Sequence, residues 1–88
     1  MKITQRKLES VATKINNITG NPVKTHLRES DGAIANIGNY HIVFAGNKAI
    51  LYQMASLEGA ADNVFGTGFL PKKTLLSLMQ VFILGLEA

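Results

Sequence analysis

The chain carries two imidazoles, His26 and His41, and no cysteine. Without a thiolate, a metal would need nitrogen and carboxylate ligands, and a covalent nucleophile would have to be a hydroxyl or an amine. Both histidines fall on one face of adjacent predicted strands, with His26 pairing near Ile37, four residues short of His41. At about 3.3 Å per residue that offset is ~13 Å, too long for two ligands of one metal ion. The spacing therefore predicts no metal centre. His41 has a local partner instead. A turn at Gly46-Asn47 sets it opposite Tyr52, and aromatic cross-strand pairs contribute roughly 0.2–1 kcal/mol. Tyr40, one residue earlier, points to the other face and into the predicted core.

Three further patterns invite a chemical reading. The stretch GTGFLPKKT (66–74) superficially resembles a phosphate-binding loop. However, G-x-x-x-x-G-K-[ST] would need glycine at 67 and 72, where Thr67 and Lys72 stand. What survives is Lys72 and Lys73 at a predicted helix N-terminus, where an anion could be attracted. Asp31 and Asp62 fall in predicted turns or loops, and no G-x-S-x-G elbow is present. These absences argue against an enzyme and against any cofactor. Finally, Lys24, His26, Arg28, His41 and Tyr52 share one predicted sheet face, combining positive charge with rings. That mixture suits phosphate neutralisation plus base stacking, so these five residues, with Lys72 and Lys73, are the candidate nucleic-acid or anion contacts. Ile37, Val43 and Ile50 occupy the same face, and aliphatic side chains amid charge suit a protein partner better.

The elements that would hold these side chains read as follows. Leu8, Val11, Ala12, Ile15 and Ile18 form a helical stripe about 120° wide, predicting a helix over 4–18. Thr4 is the candidate N-cap, and Gly20 followed by Pro22 is the stop signal. VKTHLRE (23–29) alternates as a strand, SDG (30–32) turns, and AIANIGNYHIVFA (33–45) returns as one long strand with a bend or bulge at Gly38. After Gly46-Asn47, KAILYQM (48–54) makes the third strand. In this register Val23, Thr25, Leu27, Ile34, Tyr40, Ile42, Phe44, Ala49 and Leu51 face the core. Residues 55–70 read as a loop with one short element at most. A final helix begins near Pro71, with an apolar arc of about 160° and Val81 and Leu84 outside it.

The fold expected is α+β: one domain over residues 1–88, ordered α-β-β-β-α, with two helices on one face of a three-stranded antiparallel meander. Of the 88 residues, 47% are hydrophobic and 17% charged, the balance of a chain that builds a core. The longest apolar run, LLSLMQVFILGL, covers twelve residues. A bilayer span needs about 20, so no membrane role is predicted. The net charge of +3 is uneven: residues 1–28 carry six basic side chains against one acid, and the rest carry three against five. Val81 and Leu84 leave the last helix more apolar than one sheet face can cover. With Ile37, Val43 and Ile50 they are the candidate interface of a homodimer, since a two-fold axis is the commonest way to cover such surface.

The stretches NITGNP (17–22), DG (31–32), GNYHI (38–42), Ala45, Leu51 and FILGL (82–86) resemble a group of small proteins encoded by tailed phages and prophages. Where those relatives carry a Gly-Gly hairpin tip, this chain has Asn47-Lys48. The resemblance implies a phage origin and a host bacterial cytoplasm, and brings no activity with it. Together these readings predict a non-enzymatic accessory or interaction module, dimeric, acting on a phage or host protein. Nucleic-acid binding through the basic sheet face and first helix is the alternative.

Overall fold

Thr4 starts the first helix by accepting a hydrogen bond from the Lys7 N–H (3.1 Å), leaving fewer unpaired donors in the first turn. The computed structural model describes residues 3–29 and 32–88. In it, α1 runs Gln5–Thr19 and stops at Gly20, whose φ of 74° is the left-handed C-cap geometry. Eight elements follow in chain order: α1, then β1 (His26–Glu29), β2 (Gly32–Ala35), β3 (Tyr40–Ala45), β4 (Lys48–Met54), β5 (Ala61–Asn63), β6 (Leu70–Pro71) and α2 (Lys72–Glu87). The fold is α+β with a helix at each end.

The strands divide between two sheets. β1 and β2 pair alone, His26 opposite Ala35. β3 pairs β4 antiparallel through a two-residue loop, with Ala45 opposite Lys48. Gly46 there has φ 61°, as the first central position of a type II′ turn requires. The other edge of β4 takes β5 near its C-terminal end and β6 near its start. The expected single meander is therefore corrected. The long strand predicted over 33–45 breaks at 36–39, where the Asn39 N–H closes a turn onto the Asn36 carbonyl (3.1 Å). Gly38 sits in that turn at φ 94°, and a Cβ there would overlap the Asn21 side chain. His26 consequently pairs two residues short of the position near Ile37. The predicted turn residues Ser30 and Asp31 lie outside the described residues. Within 55–70 the chain supplies β5 and the first residue of β6, where a loop with one element at most was expected.

Both helices pack on one face of the β3–β4 sheet. Leu8, Val11, Ala12 and Ile15 of α1 join Ala49 and Leu51 of β4 and Leu75, Leu76, Met79 and Ile83 of α2 in one core. Tyr40, Ile42 and Phe44 complete it from β3, as the alternation predicts. Val23 and Ile34, expected on that face, are instead 48% and 36% exposed, because the segments that carry them left the sheet at the 36–39 break. The Leu27 side chain lies outside the described part of the structure. Tyr40 meets Phe82 at 5.9 Å between ring centroids, and Phe65 meets Phe82 edge-on at 5.8 Å. No helix among the described residues is long and apolar enough to cross a membrane.

Candidate functional site

Two buried asparagines position everything around β3. Asn16 lies on the inner stripe of α1, and its side-chain amide pairs with Tyr40 twice. Nδ2 donates to the Tyr40 carbonyl (2.9 Å), and Oδ1 accepts from the Tyr40 N–H (2.7 Å). An amide that donates and accepts at one residue copies what a neighbouring strand would do. Asn39, fully buried, donates from Nδ2 to the carbonyls of Pro22 (2.8 Å) and Val23 (3.0 Å). That fixes its Oδ1 as an acceptor, so the His41 Nδ1 beside it (3.1 Å) carries the hydrogen. The sequence reading passed over both residues. For Asn16 a signal existed: it stands four residues after Ala12 and eight after Leu8, inside the apolar stripe.

His41 stacks on Tyr52, centroids 6.1 Å apart and planes 27° from parallel, with the two residues opposite one another in the ladder as predicted. Burial pushes the His41 imidazole below its ordinary value, and the charge of His26 adds to this, while hydrogen bonding at Asn39 opposes it. Burial likewise raises the Tyr40 phenol. Both rings are held by packing and by neighbours in the fold.

The seven basic and aromatic candidates do not share one sheet. Lys24, which precedes β1, and His26, which opens it, are exposed, but β1 belongs to the separate hairpin, so His26 shares no continuous sheet face with His41 and Tyr52. The backbone of Arg28 lies in β1, and its side chain is outside the described part. Lys72 lies with Nζ 5.9 Å from the centroid of the Phe44 ring, an aromatic cradle for a cation. Lys73 beside it is exposed. Among the described residues no cluster of three or more histidine or acidic side chains is placed to hold a metal ion.

The candidate interface residues divide as well. Val81 and Leu84 on α2 are 66% and 68% exposed, and Ile37 and Val43 are exposed too. Ile50 is not: at 3% exposure it is buried, which removes it from any dimer surface. Met54, on the same side of β4, is buried with it. The 36–39 turn and the 55–60 segment are bonded at the Met54 end of β4 and to β2, the Gly38 N–H donating to the Met54 carbonyl (2.8 Å) and the Ala35 N–H to that of Leu57 (3.2 Å).

A cleft of about 350 Å³ lies between α1 and the outer edge of β3. Glu9, Ala12 and Thr13 form its helical wall, Val23 and Thr25 close one end, and Ile42 and Phe44 form the strand side. No family model, curated protein or solved structure matches the chain.

Proposed function

We propose that the protein is a non-enzymatic interaction module that self-associates through α2 as a homodimer, an accessory protein of phage origin acting in a bacterial cytoplasm. One observation supports this reading above the others. Val81 and Leu84, three residues apart on one side of α2, are two-thirds exposed on a helix whose other side is packed into the core. Exposed Ser77 precedes Val81 by one turn, so the flank is narrow, aliphatic and uncharged. Apolar surface of this kind is costly in water unless a partner covers it. Sedimentation equilibrium at micromolar concentration tests it. The expected result is a dimer that Val81→Glu with Leu84→Glu converts to a folded monomer, and a wild-type monomer at that concentration overturns the reading.

The nucleic-acid alternative draws on the exposed Lys24 and His26 and the basic first third of the chain. Titration with single- and double-stranded DNA at two salt concentrations separates it from the first. Phosphate contacts would make affinity fall steeply with salt and vanish in Lys24→Glu with Arg28→Glu. No binding is expected at low salt.

A further inference from the structure

β3 is the edge of its sheet, and its two sides are not alike. Pairing runs from Ala45–Lys48, the residues that flank a two-residue loop, so His41, Val43 and Ala45 direct their N–H and C=O groups at β4. Tyr40, Ile42 and Phe44 direct theirs outward. Asn16 satisfies those of Tyr40. Those of Ile42 and Phe44 have no hydrogen-bond partner among the described residues, and both residues line the cleft beside α1. Edges are commonly blocked by lysine, proline or a bulge; YHIVFA contains none of these.

We propose that this cleft binds an extended, acidic peptide segment of a partner protein, which adds as a strand to β3 opposite Ile42 and Phe44. This extends the reading as an interaction module and uses a surface separate from the α2 flank. Two donors and two acceptors at strand spacing match a peptide main chain, which offers both in alternation; a nucleic-acid backbone offers acceptors alone along its phosphates. A second copy is a poor occupant, because each β3 edge is walled by its own α1 and two such walls would meet before the strands did. Charge favours an acidic segment. Lys72 sits at the Phe44 end and Lys24 between Val23 and Thr25 at the other. On the helix wall itself Glu9 is the one charged side chain, against these two lysines. Opposite charge would steer the encounter.

The test uses the full chain and a displayed random-heptapeptide library. Selection should enrich sequences alternating apolar residues with Asp or Glu. A selected peptide, synthesised, should slow amide exchange at Ile42 and Phe44 at least tenfold. N-methylation of its alternate residues, and Lys24→Glu with Lys72→Glu in the protein, should each weaken binding at least tenfold. No enrichment, enrichment of basic sequences, or binding indifferent to N-methylation overturns the proposal. So does protection of the two amides that rises with protein concentration alone, which would make a second copy the occupant. Sedimentation of the same preparation reads the α2 association separately: a dimer without peptide binders sinks the cleft alone, and a monomer that binds them sinks the dimer alone.

Discussion

Asn16 and Asn39 are the two residues on which the geometry of β3 turns. A buried amide left without partners costs about 1–3 kcal/mol, and each of these is engaged from both ends. Asn16→Ala would strip partners from both main-chain groups of Tyr40. A loss of ~2–3 kcal/mol in urea unfolding is expected; a loss below ~0.5 kcal/mol would mean that water substitutes at no cost. His41 carries a pH dependence whose sign follows from burial. Its folded-state value lies below the ordinary 6.5, so folding favours the neutral ring. The stability this contributes is complete above 6.5 and is lost as pH falls through the folded value. Thermal stability should therefore decline between pH 7 and pH 5, and His41→Gln should flatten the decline. An imidazole titration by NMR giving 6.5 or higher for His41 would contradict this.

Among the elements, the 36–39 turn decides the architecture. Gly38 has a positive φ and no room for a Cβ beside Asn21, so Gly38→Ala should cost more than about 1 kcal/mol. Adding Asn21→Ala should recover the part due to crowding and leave the backbone part; full recovery would show that φ is not strained. This turn also marks the boundary of what the sequence makes legible. α1 with its cap and stop, the β3–β4 register and α2 were all readable, because each rests on local chemistry: a threonine cap, a glycine C-cap, a two-residue loop, a helical period. The break after Ala35 was not, since Ala33 to Ala45 alternates like one strand and is divided by distant partners, the Pro22 and Val23 carbonyls that capture Asn39. β5 and β6, at three and two residues, are too short to show a period, and β4 supplies their ladder. The two-residue alternation separated the faces of β4 correctly, but it is silent on whether the second face becomes covered. That is why Ile50 was expected to be exposed.

At the scale of the whole molecule, the two helices cover one sheet face, and on the other Ile50 and Met54 are buried. That arrangement leaves the flank of α2 and the edge of β3. Of the candidate site, Val81, Leu84 and the Tyr40 and His41 environments were legible as residues. The open edge was not, because a free N–H belongs to topology rather than to any side chain. The central claim is that α1 closes the β3 edge at Tyr40 and leaves it open at Ile42 and Phe44. Residue-resolved amide hydrogen exchange on the free protein tests this most directly. The prediction is slow exchange at Tyr40, His41 and Val43 and exchange at least tenfold faster at Ile42 and Phe44, unchanged by dilution. Uniform protection from Tyr40 to Ala45 would contradict it.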